Sequence, residues 1–198
     1  MKPQAAPVGP PAAAPSEPAL RIAVLGAEST GKTTLAQALQ QQLASHCKLR
    51  VAWVPELLRE WCDREGRTPQ AHEQAAIMRQ QHQRIDEAAA LHQVVVCDTT
   101  ALMTAVYSQI VFGDTQLHDE AVALHSSVAC TLLTALDLPW VADGLQRDGP
   151  QVQLPVDQAL RALLNRSGIA FSVVSGEGEK RVLQAMAAIR QVTQLSRS

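Results

Sequence analysis

Apolar residues follow two alternating rhythms along this chain: short unbroken runs, and longer stretches in which they recur every three to four positions. The runs at 20–26, 49–55, 93–98, 129–137 and 169–176 are rich in Val, Ile and Leu and read as five strands. "VVVC" within 93–98 is continuous rather than alternating, as expected for a strand covered on both faces of a parallel sheet. Between the runs, helical spacing predicts helices over 32–46, 56–62, 68–92, 100–112, 117–127, 156–166 and 178–194. The 68–92 helix has Thr68 as its expected N-cap, Pro69 at the first helical position and Glu73 in the opening turns. Strands alternating with helices predict an α/β fold, a five-stranded parallel sheet with helices on both faces.

Residues 1–18 break this pattern. They hold six of the eleven prolines among alanines and offer too little large apolar surface to offset ordering, so they are expected to be a disordered tail before a single domain at 19–198. The 138–155 segment, rich in Gly, Asp and Pro, reads as a long loop with the character of a lid over 139–149.

Composition narrows the partners. With 17 Lys and Arg against 19 Asp and Glu, the formal charge is -2, and no basic run suggests nucleic acid or an anionic membrane. No stretch reaches the ~18 apolar residues of a membrane span, and no signal-peptide pattern opens the chain, so a cytoplasmic protein acting on a small molecule is expected. Cys47, Cys62, Cys97 and Cys130 form no CxxC pair and are expected to be reduced, mostly buried thiols. His72, His82, His118 and His125 form no metal-ligand pattern and read as surface or helix-face residues. Trp53 and Trp61 read as packing residues.

The chemistry concentrates at "GAESTGKT", Gly26 to Thr33, which satisfies G-x-x-x-x-G-K-[ST] between a strand and a helix. Gly26 and Gly31 let backbone N–H groups approach phosphate oxygens, and the helix N-terminus favours negative charge. Lys32 then bridges the β- and γ-phosphates of ATP, and Thr33 supplies a hydroxyl to Mg²⁺. Glu28, Ser29, Thr30 and Thr34 are polar groups of the same nucleotide-binding loop.

Asp98 ends the apolar third strand, where an acid can reach the metal or instead cap the next helix at Thr99–Thr100. Glu56 and Arg59 follow the second strand onto the same rim. They suit a proton acceptor and an anion-holding cation, or an ordinary first-turn acid and an exposed arginine. Arg147 is the loop cation expected over the phosphates, or a solvated loop residue. No N-K-x-D guanine reader appears, which disfavours a GTPase.

Taken together, "GAESTGKTTLA", "VPELLREW", "VVVCDTTALMTAVYSQIVFG" and "LDLPWVADGLQRDG" resemble the nicotinamide-riboside kinase domain of bacterial NadR regulators and related AAA-like P-loop ATP-binding domains, over roughly 20–195. The resemblance implies a P-loop NTPase fold of nucleoside-kinase type and transfer of the ATP γ-phosphate to a riboside 5′-hydroxyl. It places Gly26, Gly31, Lys32 and Thr33 on ATP–Mg²⁺, Glu56 and Arg59 on the acceptor side, Asp98 beside the acceptor hydroxyl and metal, and Tyr107 and Trp140 near the acceptor's ring. The chain departs from the family's Asp-Thr-Asp at Thr100, and neither the regulator's DNA-binding segment nor its adenylyltransferase domain is expected here. The leading expectation is an ATP-dependent kinase of a nucleoside-like acceptor. The alternatives are a regulatory ATP-binding module without kinase activity, and a deoxynucleoside or nucleoside-monophosphate kinase.

Overall fold

A computed structural model describes residues 17–141 and 149–193. Most of the proline-rich tail, and Arg147, lie outside them. Five strands, β1 (Leu20–Leu25), β2 (Val51–Val54), β3 (Val94–Asp98), β4 (Cys130–Thr134) and β5 (Ser172–Val174), form one sheet in the order β2-β3-β1-β4-β5. Every described pairing is parallel, with Ile22 opposite both Val96 and Cys130.

The period of two along each strand sorts side chains between two helical layers. Ile22 and Val24 of β1 face α1 (Lys32–Cys47) and α7 (Gly178–Thr193), packing with Leu35, Leu39, Leu43 and Ile189. Ala23 and Leu25 face the opposite layer, with Met78 of α3 (Ala71–Leu91), Leu102 and Val106 of α4 (Ala101–Phe112), Ala121 of α5 (His118–His125) and Leu160 of α6 (Gln153–Arg166). Each such Leu or Ile contributes about 1.5–3 kcal/mol by leaving water, so the two faces of β1 hold both layers against the central strand.

The connection leaves β1 toward β2 and leaves β3 toward β4, in opposite directions across the sheet. Their carboxyl ends therefore border an open crevice, the general ligand position in such sheets.

Several boundaries differ from the sequence reading. The second, fourth and fifth strands are shorter than their apolar runs, because flanking residues turn away at the rim. α2 spans Leu57–Glu65, extending past the expected end to Gly66, whose left-handed φ of 68° lets its N–H bond the Cys62 carbonyl. α3 begins at Ala71 with Gln70 as cap, and the Glu73 carboxylate accepts from the Gln70 N–H at 2.8 Å. Pro69 thus precedes the helix and Thr68 is not its cap. α6 begins at Gln153 after a 3-10 turn at Pro150–Val152.

His118 and His125 are buried, which corrects their reading as surface or helix-face residues. Burial holds the His125 imidazole near a pKa of about 4. Its Nδ1 lies 2.9 Å from Thr100 Oγ1 and its Nε2 2.9 Å from Thr131 Oγ1, so two hydroxyls satisfy a neutral ring. Cys62, Cys97 and Cys130 are buried and in no disulfide among the described residues, and burial pushes the Cys97 thiol up to about 12. Among the described residues no helix is long and apolar enough to cross a membrane.

Candidate functional site

The loop after β1 is held by its own glycines and by the end of β4. Gly26 has φ of 148°, and a Cβ built there would lie 2.0 Å from Thr134 Oγ1. Only a glycine lets the backbone pass so close. Thr134 Oγ1 in turn donates to the Leu25 carbonyl at 3.1 Å, and it lies 2.7 Å from Thr30 Oγ1. Gly31, at φ of 73°, is the N-cap of α1. Ser29 takes a left-handed φ of 56°, strain of the kind that gathers at ligand sites.

Lys32 folds back along this loop and donates from Nζ to the Ala27 carbonyl at 2.8 Å. An ammonium parked on a carbonyl is poised to exchange that partner for a phosphate oxygen. Around it a cavity of about 710 Å³ is lined by Ser29, Thr30, Gly31, Lys32, Thr33, Thr34, Arg59, Leu138, Pro139 and Val141.

Asp98 stands at the floor of the crevice, 1 % exposed. Burial raises its carboxyl above the usual range, while a hydrogen bond from Thr33 and the charges of Lys32 and Arg59 pull it down. Its Oδ1 is buried with no hydrogen-bond partner. The next residue, Thr99, has a positive φ of 71°, a costly conformation for a β-branched residue. Thr100, not Asp98, occupies the N-cap position of α4. The alternative capping role of Asp98 therefore falls away, and Asp98 is left facing Thr33.

Glu28 turns the other way. It is buried, and with Leu58, Thr68, Pro69, Gln74, Tyr107, Val111 and Phe112 it lines a second cavity of about 90 Å³ between α3 and α4. Glu28 and Ser29, neighbours in the loop, thus open onto different cavities. Glu56 stands at the N-cap position of α2 and lines neither cavity. Trp140 is half-buried and lines neither, whereas Tyr107 lines the smaller one.

Val141 and Gln153, on either side of residues 142–148, both bond to the loop. The Val141 N–H donates to Ser29 Oγ at 2.8 Å, and Gln153 Nε2 donates to the Glu28 carbonyl at 2.7 Å. Arg181 of α7, 4 % exposed, donates from Nη2 to Asp137 Oδ1 at 3.1 Å and to the Ala135 and Val174 carbonyls at 3.4 Å. Burial lowers its guanidinium below the ordinary value, opposed by the charges of Asp137 and Glu177. Thr134, Gln153, Gln74 and Arg181 escaped the sequence reading, since each acts on a residue more than forty positions away or on a cavity.

A family model described as an AAA domain matches residues 21–181. The chain belongs to this AAA domain family. Among solved structures, the AAA domain is similar to NadR protein in complex with nicotinamide riboside (NR), at TM-score 0.74 and 18% identity, covering 91% of this chain and 53% of that one. NadR protein in complex with NAD and AMP-PNP matches at TM-score 0.71 and 16% identity, over 91% and 51% of the two chains. Thymidylate kinase from Ehrlichia chaffeensis matches at TM-score 0.60 and 14% identity, over 89% and 100%. This chain spans about half the length of the NadR chains it matches. No curated protein sequence matches it significantly. At such identities the structural likeness establishes the fold, a P-loop α/β sandwich of the kinase type.

Proposed function

We propose that this chain is an ATP-dependent kinase acting on the 5′-hydroxyl of a cationic riboside, with nicotinamide riboside as the acceptor. The observation that carries the proposal is the pair of cavities meeting at the Glu28–Ser29 peptide, one beside Lys32 and Thr33, the other lined by the buried Glu28 carboxylate and by Tyr107 and Phe112. A pyridinium riboside carries a positive ring, and a carboxylate with aromatic walls suits such a ring better than a neutral base. NadR structures determined with nicotinamide riboside and with AMP-PNP share the fold, which supports the reading.

In this reading the backbone N–H groups of the loop and Lys32 bind the phosphates of ATP, and Arg59 offsets charge from the rim of the same cavity. The Thr33 hydroxyl and the unpartnered Asp98 Oδ1 fit a divalent cation and would hold Mg²⁺. When bound, Mg²⁺ would neutralise charge on the phosphate oxygens. Asp98, at the end of β3 and facing Thr33, is the first candidate to take the acceptor proton. Glu56 is the reserve candidate on the second strand's rim, and Arg147 the candidate cation of the lid. Catalysis is then positioning plus charge neutralisation, with little covalent chemistry asked of the protein.

The test is a panel assay with purified protein, ATP and Mg²⁺ against nicotinamide riboside, thymidine, adenosine and uridine, read as ADP and phosphorylated product. Turnover dependent on nicotinamide riboside, lost at least a hundredfold in Lys32→Ala, is the expected result. Acceptor-independent hydrolysis alone would favour a regulatory ATP-binding module, and full activity of Lys32→Ala would remove the site assignment.

A further inference from the structure

We propose that Gln74 sets acceptor specificity by pairing its side-chain amide with a carboxamide on the acceptor's ring, an inference that rests on the kinase reading above. Gln74 projects from the first turns of α3 and is 4 % exposed. It lines the smaller cavity together with Glu28 and Tyr107, and its Oε1 is buried with no hydrogen-bond partner. A buried amide oxygen left unpaired costs about 1–3 kcal/mol in general, so it calls for an explanation.

Gln81, two turns further along the same face, is also buried, and there the amide is spent on structure. It accepts from the Leu57 N–H at 2.7 Å and donates to the Pro55 carbonyl at 3.3 Å, fixing the start of α2. Gln74 has the same residue type, helix and burial, yet it faces a cavity rather than a backbone. Its amide is a reserved recognition group.

The chemistry of the complement follows from the donors and acceptors. A glutamine amide presents a carbonyl acceptor beside an N–H donor, and a primary carboxamide presents the matching pair, so two parallel hydrogen bonds form in one plane. A ring carrying a carboxylate instead offers two acceptors. One of its oxygens would face Gln74 Oε1, and its charge would share the cavity with the Glu28 carboxylate. The 90 Å³ cavity is sized for a ring with a small polar substituent, and Glu28, next to Ser29 of the larger cavity, lies on the side where the riboside would continue. The site therefore selects the amide over the acid by hydrogen bonding at Gln74. A site built to pair a polar group discriminates far more strongly against an analogue lacking it than an apolar pocket does.

The experiment compares nicotinamide riboside with nicotinic acid riboside, which differ only in that substituent, by steady-state kinetics and by calorimetric titration, in the full chain and in Gln74→Leu and Gln74→Glu. The wild type is expected to favour the amide by about a hundredfold in kcat/KM. Gln74→Leu should raise KM for the amide about tenfold to a hundredfold, with kcat changed only a few-fold, and should collapse most of the amide-to-acid ratio. Gln74→Glu keeps the shape, so it serves if the leucine variant does not fold. It should weaken amide use about tenfold and depress acid use further. An amide-to-acid ratio unchanged in a folded variant overturns the role of Gln74, as does a wild type that uses or binds both ribosides equally or fails to bind the amide. Calorimetry separates the two readings. Binding of the amide riboside without turnover overturns the kinase reading, while the Kd ratio still decides on Gln74.

Discussion

Replacing Gly26 with alanine tests how the phosphate loop is built. The new Cβ would sit 2.0 Å from Thr134 Oγ1, 3.1 Å from Thr30 Oγ1 and 3.3 Å from Thr134 Cβ, on a backbone at φ of 148°. That φ alone costs an L-residue about 1–3 kcal/mol. The 2.0 Å approach is resolved only by rotating the Thr134 hydroxyl away. Its bonds to the Leu25 carbonyl and to Thr30 are then lost, at about 1 kcal/mol or somewhat more each. The expected destabilisation is about 3–6 kcal/mol, against a total of roughly 5–15 kcal/mol for a domain. For a chain of this size it corresponds to a Tm lower by roughly 10–20 °C. Thermal or urea unfolding of Gly26→Ala, Thr134→Ala and the double variant measures it. Thr134→Ala alone should cost about 2 kcal/mol. In the double variant the same two bonds are lost once rather than twice, so it should be about 2 kcal/mol more stable than additivity requires. Strict additivity would refute the argument, because it would mean that Thr134 is not what excludes a side chain at position 26.

Two further outcomes follow from buried titrating groups. Asp98→Asn removes a carboxylate whose pKa burial raises, so the ligand-free variant should be more stable than wild type at neutral pH. That advantage should shrink as pH falls and Asp98 takes up its proton. The same variant should lose at least a hundredfold in turnover and the Mg²⁺-dependent part of the ATP-induced Tm shift, and unchanged Mg²⁺ dependence would exclude Asp98 from the metal. His125 is held neutral at about 4, below its unfolded value, so the unfolded chain binds the extra proton between pH 6.5 and about 4. Stability from this group is complete above pH 6.5 and falls by about 3 kcal/mol across that window. A His125→Gln variant should show an acid limb flatter by that amount in urea titrations at stepped pH, and equal slopes in the two proteins would contradict the assignment.

Local patterns made the sheet and the loop legible. Val94–Val96 are buried on both faces as their unbroken apolar run implies, and the spacing of Gly26, Gly31, Lys32 and Thr33 carries its own geometry. Strand ends were less legible, because residues such as Leu136 are apolar yet leave the sheet to build the rim, and no local rule separates those uses. The start of α3 misled for a related reason. Thr68 and Pro69 have the right chemistry for a helix start, but the pairing of Glu73 with Gln70 and with Arg67 wins it two residues later. His125 looked like a helix-face residue until β4 and the start of α4 supplied Thr131 and Thr100 as partners. Gln74 was indistinguishable from Gln81 in sequence. Only the neighbouring backbone at Pro55 and Leu57 separates a structural glutamine from one left facing a cavity.

Ser29 and Glu28 each hold one end of the segment that runs from Val141 to Gln153, through a hydroxyl and a carbonyl on adjacent residues. Val141 and Gln153 are thus tied to adjacent residues of the phosphate loop, one through the Ser29 side chain and one through the Glu28 backbone. A nucleotide whose binding shifts the backbone at Glu28 and Ser29 acts on both of these bonds, so its affinity and their strength are linked. By reciprocity, any substitution that frees an anchor changes nucleotide affinity by the same factor with which the nucleotide changes the anchor's hold.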